Sequence, residues 1–215
     1  MRVARFAENL DRWASTAVKR PVAVAMSRVG LRATQLNFAG LAGCVAAATL
    51  VAGGELFLGG LLFLFASALD AFDGTLAHVR GTARTFSLGG WLDSYFDSVG
   101  EAALALALLF VVDDPAFLRL AAASLALTLL VSHAKAVAGE YRIRPGWGEI
   151  RLLGRGLRVL IVSIGLIVGG GGGDPRGGLT AMLLILISFN SFVLGGRIVK
   201  IVRQARSDDR AGTSE

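Results

Sequence analysis

The sequence predicts an all-α integral membrane protein with six transmembrane helices, preceded by an amphipathic helix on the cytoplasmic membrane surface. Of its 215 residues, 54% are hydrophobic and only 18% are charged, and the mean hydropathy is +0.62. A membrane-spanning helix needs about 20 consecutive, mostly apolar residues. The chain is therefore long enough for about six such helices joined by short loops.

Residues 1–34 form the predicted interfacial segment. Seven of these residues are basic, and Phe6, Leu10, Trp13 and Ala17 recur at helical spacing. Basic residues combined with a regular apolar stripe are typical of a helix that lies in the plane of the membrane interface. A solvated N-terminal tail is the alternative interpretation.

Six apolar runs follow within a predicted transmembrane domain of residues 35–199. They cover residues 35–54, 56–77, 88–112, 117–137, 155–169 and 179–198. Glycine, proline or arginine residues interrupt the sequence between the runs, as expected for turns and loops. Residues 200–215 form a predicted basic cytoplasmic tail.

The distribution of positive charge predicts the orientation. Six spans place both termini on one side of the membrane, and that side carries all but two of the 22 Lys and Arg residues, the exceptions being Arg119 and Arg176. Cytoplasmic loops carry the excess of Lys and Arg in membrane proteins. We therefore expect both termini in the cytoplasm of a cell (inner or plasma) membrane. The net charge of +6 then reflects topology and lipid contacts and does not indicate a nucleic-acid partner.

Four aspartates, Asp70, Asp73, Asp93 and Asp97, lie at the cytoplasmic ends of the second and third predicted spans. Spacings of three and four residues place each pair on one helix face, with Cβ atoms roughly 5–6 Å apart. A carboxylate costs about 2.5–3.5 kcal/mol at a bilayer centre and less near the interface, so positive partners are expected. Oxygen ligands favour Mg²⁺ or Mn²⁺. Two such ions would clamp a diphosphate, and one carboxylate could take the proton of an attacking hydroxyl.

This region resembles the signature of the CDP-alcohol phosphotransferase family. The matching residues are Asp70, Asp73, Gly74, Ala77, Gly89, Asp93 and Asp97. The resemblance implies a phospholipid-biosynthetic transferase that moves a phosphatidyl group from a CDP-linked lipid, such as CDP-diacylglycerol, to a polar alcohol and releases CMP. It also implies that the four aspartates share two divalent ions, that Asp97 is the general base, and that the protein is a homodimer.

The resemblance further implies a CDP-binding region. Gly74 and Ala77 would border the CDP moiety, although small residues there also suit close helix packing. The family's arginine after Ala77 is replaced by His78, and Arg80 follows two residues later. We expect Arg80 to supply the cation and His78 to be a helix-end side chain. Gln35 lies in the segment that corresponds to a nucleotide contact in relatives.

Three basic residues, Lys135, Arg155 and Arg158, resemble those found in relatives at the end of the fourth span and the start of the fifth. They could form a pocket for an acceptor phosphate, such as that of glycerol phosphate or inositol phosphate, or for a lipid headgroup. The alternative is that they are topology anchors at the cytoplasmic surface.

Three other functions are compatible with the sequence. The donor could be a soluble CDP-alcohol, because the same metal site would serve it, or the chain could be a catalytically altered family member. An ion- or proton-coupled transporter is a different class, since such proteins also use intramembrane carboxylates. Against a transporter, the aspartates cluster at one membrane face, and the two halves of the chain show no matching broken-helix pattern.

Overall fold

All regular elements in the described part of the chain are helices, which confirms the predicted all-α class. The computed structural model describes residues 17, 19–70, 72–82, 88–140, 155–172 and 175–212; residues 1–16 of the predicted interfacial helix and the basic loop at 141–154 fall outside these ranges. The helices are α1 (Arg20–Arg28), α2 (Ala33–Ala52), α3 (Leu56–Asp70), α4 (Asp73–Val79), α5 (Leu88–Ala107), α6 (Pro115–Glu140), α7 (Leu157–Gly170) and α8 (Pro175–Gly212), with a short 3₁₀ turn at Leu108–Phe110.

The six long helices form a closed ring. In order around the ring, α2 packs on α3, α3 on α7, α7 on α8, α8 on α6, α6 on α5, and α5 on α2. The end of the ring that carries Asp70 is called the aspartate end below. The opposite end carries the turns after α2, α5 and α7. Asp70 and the starts of α5 and α7 therefore meet at one end of the bundle.

Four described segments are long and apolar enough to cross a membrane, and they are Ala33–Ala52, Leu56–Val79, Pro115–Ala134 and Pro175–Arg206. The apolar helix α7 is shorter, with 14 residues. Helix α5 carries charged side chains on its first three turns, including Asp93 and Asp97. The membrane character agrees with the sequence prediction, and the six-span count stays a prediction.

Glycines allow the helices of the ring to approach closely. A Cβ atom added to Gly60 of α3 would lie 2.8 Å from the Leu166 Cβ and 3.0 Å from the Ser163 carbonyl oxygen on α7. A Cβ at Gly100 of α5 would lie 3.0 Å from the Cβ of Cys44 on α2. Small residues at helix contacts are the usual means of close association in membranes. These contacts fix α7 on α3 and α5 on α2, and hence the charged residues at the ends of these helices.

A second, smaller cluster holds α1 and α4 against the aspartate end. Ala23 of α1, Leu36 of α2 and Leu76 of α4 are buried together. The chain between α3 and α4 turns at Phe72, so the second predicted run is divided into a long and a short helix. Asp70 is the last residue of α3 and Asp73 is the first of α4.

Candidate active site

Three of the four predicted metal-binding aspartates are gathered at one point. Asp70, Asp93 and Asp97 each have a carboxylate oxygen within 4.8 Å of the others. Asp93 and Asp97 are four residues apart on α5 and share one face. Gly40 of α2 faces Asp70, since a Cβ added there would lie 3.6 Å from the Asp70 Cβ and Oδ1 atoms. The packing of α3 and α5 on α2 thus brings Asp70 together with Asp93 and Asp97, which follow it by 23 and 27 residues in the sequence.

Asp73 lies beside this three-residue group and is held separately. Its side chain is buried, and the amide nitrogen of Asn37, when turned toward it, donates a hydrogen bond of 3.1 Å to Asp73 Oδ2. The same nitrogen donates to the carbonyl oxygen of Ala33 at 3.0 Å. Asn37 is itself 1% exposed, so α2 fixes the first residue of α4. The sequence interpretation had placed Asp70 and Asp73 on one helix, whereas the turn at Phe72 divides them.

Arg155 contacts the aspartate group directly. Its Nη1 atom lies 2.5 Å from Asp70 Oδ2 and 2.8 Å from Asp97 Oδ1. Arg155 precedes α7, and α7 packs on α3 in the opposite direction, so the start of α7 meets the end of α3. Sequence reasoning predicted Arg155 for an acceptor or lipid phosphate. The structure brings it to the carboxylates, where it balances part of their charge.

Glu101 is a site residue that sequence reasoning missed. Its side chain is 9% exposed and lies 3.1 Å, Oε2 to Nη2, from Arg158 on the first turn of α7. Its Oε1 atom is 3.6 Å from the Nε atom of Arg155. Glu101 follows Asp97 by four residues, as Asp97 follows Asp93. This regular acidic spacing on one helix face was the signal that could have identified it.

Arg197 of α8 is a second missed residue. It is 5% exposed and donates a hydrogen bond to the carbonyl oxygen of Val131 on α6. Two turns before it on the same helix, Asn190 donates to the Thr128 hydroxyl at 3.0 Å. Arginine is rarely buried without compensation. Its signal in the sequence is a single arginine within the last apolar run.

The predicted CDP-binding residues lie on α4, at its end, or at the start of α2. Gly74 and Ala77 are half-buried on α4. Arg80 donates from Nη2 to the Ser27 carbonyl oxygen at 3.2 Å, and so ties the end of α4 to α1. Gln35 is exposed, and its Oε1 atom accepts a 2.9 Å hydrogen bond from the Arg32 N–H at the start of α2. Their contact with CDP stays a prediction.

His78 and Lys135 complete the set of residues singled out in the sequence. The His78 Nδ1 atom lies 3.0 Å from the Gly74 carbonyl oxygen, one turn earlier on α4. This is the helix-end side chain that we expected. Lys135 lies on α6, and its side chain is outside the described part of the structure.

The donor atoms of the site fit a divalent cation. Three carboxylates that approach within 4.8 Å offer only oxygen ligands, and hard cations such as Mg²⁺ and Mn²⁺ prefer oxygen. Beside this group, Arg155 and Arg158 supply two guanidinium groups with the geometry to bind phosphate. The aspartate end therefore combines an acidic cation site with an adjacent pair of arginines.

Similar proteins are phosphatidylinositol phosphate synthases. The chain is 32% identical over 161 residues to the enzyme of Mycolicibacterium smegmatis, an alignment covering 73% of this chain and 70% of the relative. It is 29% identical over 184 residues to the enzyme of Mycobacteroides abscessus, covering 83% and 81%. No family model matches the chain.

Solved structures of the Mycobacterium tuberculosis phosphatidylinositol phosphate synthase share the fold. The structure with CDP-DAG bound has a TM-score of 0.74 and 26% identity, and covers 86% of this chain and 94% of that one. The structure in complex with manganese and citrate also has a TM-score of 0.74 and 26% identity, covering 86% and 88%.

Proposed function

This chain belongs to the CDP-alcohol phosphotransferase family and is a membrane transferase of phospholipid biosynthesis, and from that premise we propose that it transfers a phosphatidyl group from CDP-diacylglycerol to a phosphorylated polar alcohol. Inositol phosphate is the first candidate for the acceptor. The reaction releases CMP and forms a phosphodiester.

The observation that carries this proposal is the arginine pair beside the aspartate group. Arg155, just before α7, contacts Asp70 and Asp97, two of the carboxylates that would hold the donor's cations. Arg158, on the first turn of α7, is joined to Arg155 through Glu101. A phosphate on the acceptor would give these arginines a ligand next to the reacting hydroxyl. The names of the relatives support inositol phosphate, and the CDP-DAG bound to the M. tuberculosis enzyme supports the lipid donor.

Asp70, Asp93 and Asp97, together with Asp73, would hold two divalent ions, either Mg²⁺ or Mn²⁺. When bound, such ions neutralise the charge of the diphosphate and of the departing CMP. The chain's own residues supply the rest of the chemistry. Arg155 and Arg158 orient the acceptor, and Asp97 accepts the proton of its hydroxyl group.

The reaction needs no reactant other than the donor and the acceptor, because one bond forms and one bond breaks. The deprotonated hydroxyl oxygen of the acceptor forms a bond to the β-phosphorus of the donor. The bond from that phosphorus to the bridging oxygen breaks, and CMP leaves with the electron pair. Asp97 carries the released proton away from the reacting group. Gly74, Ala77, Arg80 and Gln35 would contact the CDP moiety.

The direct test is CMP release by the purified full-length protein in detergent micelles. CDP-diacylglycerol is supplied with inositol phosphate, glycerol phosphate, inositol or glycerol, each with and without EDTA. We expect release with a phosphorylated alcohol only, and its loss in EDTA. Release with inositol but not inositol phosphate would contradict the proposed acceptor. Release from a soluble CDP-alcohol, but not from the lipid donor, would contradict the proposed donor.

Replacing Arg158 tests the acceptor site. Arg158→Gln removes one charged hydrogen-bonding group, for which about 1.5–3 kcal/mol is typical. We therefore expect the KM for the phosphorylated acceptor to rise about 10- to 100-fold, with a smaller change in the donor KM. Arg119→Gln at the opposite end, where Arg119 donates to the Pro115 carbonyl oxygen, is the matched control. An unchanged acceptor KM in Arg158→Gln would remove Arg158 from the acceptor site.

We place the aspartate end and both termini in the cytoplasm, on the basis of the positive charge at that end. Glu55 and Thr82 are exposed at opposite ends of the bundle. In a Cys44→Ala background, Glu55→Cys should react with an impermeant maleimide in intact cells, and Thr82→Cys only after permeabilisation. The reverse pattern would invert the topology. Assembly as a homodimer stays a prediction from the family resemblance.

A further inference from the structure

Glu101 lies between the predicted cation site and the predicted acceptor site. We propose that Glu101 is a positioning residue that holds Arg155 and Arg158 as a pair, so that both guanidinium groups face the acceptor's phosphate. This inference rests on the proposed function, because it assigns a purpose to the arginine pair that the acceptor would use.

The contacts of Glu101 join the two arginines. The Glu101 carboxylate lies 3.1 Å from Arg158 through Oε2 and 3.6 Å from Arg155 through Oε1. Because two guanidinium groups repel each other, a shared carboxylate between them lowers the free energy of keeping them adjacent. Glu101 comes one turn after Asp97 on α5. The helix that presents the general base therefore also positions the arginines.

Because Glu101 is buried, its negative charge is stable only when the two arginines lie beside it. Glu101 and Arg158 line a cavity inside the ring. Its other walls are mostly apolar, formed by residues such as Phe63, Leu104 and Val159, with Ser124 and Thr128 as the polar exceptions. Both charged side chains are 9% exposed. A buried charge requires a partner and hydrogen bonds. The arginines balance Glu101, and Glu101 in turn restricts where they lie.

Arg155 has acidic partners on two sides, the aspartate group and Glu101. The charged residues gathered here are Asp70, Asp93, Asp97, Glu101, Arg155 and Arg158. Their four formal negative charges and two positive charges leave a surplus of two negative charges. The contacts to Asp70 and Asp97, at 2.5 and 2.8 Å, draw Arg155 toward the cation site. The contact to Glu101 draws it toward Arg158. Without Glu101, we expect Arg155 to lie wholly on the aspartates, where its positive charge opposes a cation.

Glu101→Gln tests the proposal because it keeps the shape of the side chain and removes the charge. Loss of a group that orients a ligand typically costs 10- to 100-fold in affinity or activity. We expect a rise of about that size in the acceptor KM, and weaker Mn²⁺ binding measured by electron paramagnetic resonance of the free ion. We expect the donor KM to change much less than the acceptor KM. Glu55→Gln, the same change at the exposed opposite end, should leave every value unchanged.

A double-mutant cycle tests whether Glu101 acts through Arg158. If it does, Glu101→Gln combined with Arg158→Gln should raise the acceptor KM little more than the larger single effect, because the two changes remove one unit. Effects on the acceptor KM that simply add would overturn the proposal. So would an unchanged acceptor KM and Mn²⁺ affinity in folded Glu101→Gln.

A binding measurement separates this inference from the proposed function. Calorimetric titration of inorganic phosphate into the Mg²⁺-loaded full-length protein reports the arginine pair without any acceptor alcohol. Weaker phosphate binding by Glu101→Gln supports the positioning role even if inositol phosphate proves to be the wrong acceptor. If Glu101→Gln does not fold, Glu101→Asp is used, which keeps the charge on a shorter side chain. Phosphate affinity equal to wild type in that variant, with Arg158→Gln weakened, would contradict the dependence on Glu101 geometry.

Discussion

Two Asp–Arg ion pairs lie at opposite ends of the bundle, and they are built differently. At the aspartate end, Arg155 contacts Asp70 and Asp97, which come from two helices, and Glu101 joins Arg155 to Arg158. At the opposite end, Arg176 pairs with Asp114, which lies just before α6. The Arg155 and Asp70 side chains are 23% and 8% exposed, whereas that of Arg176 is 59% exposed.

This difference in burial and in the number of partners distinguishes a functional site at the aspartate end from a structural ion pair at the opposite end. Exposed ion pairs contribute about 0–1 kcal/mol, and Asp114 has a clear local purpose, since it accepts hydrogen bonds from the backbone N–H groups of Ala116 and Phe117 at the start of α6. Among the described contacts, no capping role of this kind accounts for the three carboxylates around Arg155, those of Asp70, Asp97 and Glu101. Buried charges that exceed what folding requires are typical of functional sites.

Asp97→Asn should have the largest effect. It removes both a cation ligand and the proposed proton acceptor, and loss of a general base typically lowers the rate about 10²- to 10⁴-fold. We expect a fall in kcat of at least that order, measured as CMP release. Asp113→Asn, an exposed aspartate at the opposite end, is the matched control and should retain kcat. Wild-type turnover by Asp97→Asn would remove the aspartate end as the catalytic site.

The sequence allowed much of this arrangement to be predicted. Long apolar runs predicted the helices because only a helix satisfies its own backbone hydrogen bonds in lipid. Asp70, Asp93 and Asp97 could be grouped because α3 and α5 are separated by a short segment and carry aspartates at facing ends. His78 was correctly expected at a helix end, where it contacts the Gly74 carbonyl oxygen.

The remaining features depend on packing that local patterns do not encode. Arg155 is 85 residues from Asp70, and its contact with the aspartates arises only because α7 packs on α3. An arginine binds phosphate and carboxylate equally well, so the sequence alone does not predict which of the two Arg155 contacts. The turn at Phe72 was missed because the three-residue spacing of Asp70 and Asp73 also fits one continuous helix. Glu101 was overlooked because it stands at the edge of a long apolar stretch.

Gly60→Ala tests whether the close contact of α3 and α7 supports the aspartate end. The added methyl group would lie 2.8 Å from the Leu166 Cβ and 3.0 Å from a backbone oxygen of α7, and overpacking of this kind typically costs about 1–3 kcal/mol. We expect a lower Tm in detergent. Because α7 must shift, we also expect weaker Mn²⁺ binding.

Gly195→Ala on α8 is the matched control for Gly60→Ala. Nothing lies within 4 Å of a Cβ added at Gly195, and replacing a helical glycine with alanine stabilises a helix by about 1 kcal/mol or less. Its Tm should therefore be unchanged or slightly higher. Equal Tm values for the two variants would show that the glycine contact does not hold α7 in place.

Asp114→Ala tests the opposite end and should have the smallest effect. The backbone N–H group of Phe117, then that of Ala116, and the nearby Arg176 lower the pKa of Asp114. A carboxyl group with a lowered pKa stabilises the fold at pH values above its ordinary pKa, and this contribution is lost as the pH falls through the lowered value. We therefore expect Asp114→Ala to reduce Tm at pH 7, and the difference from wild type to disappear in strong acid.

Asp113→Ala, one residue away and exposed, is the control for this pH series and should follow the wild-type Tm throughout. High salt should shrink the Asp114→Ala effect only in part, because salt screens the Arg176 pair but leaves the two backbone hydrogen bonds. Mn²⁺ binding should be the same as in wild type, since Asp114 lies at the end of the bundle away from Asp70. A changed Mn²⁺ affinity in Asp114→Ala would mean that the two ends are coupled through α5 and α6, and the contrast between a functional and a structural ion pair would no longer hold.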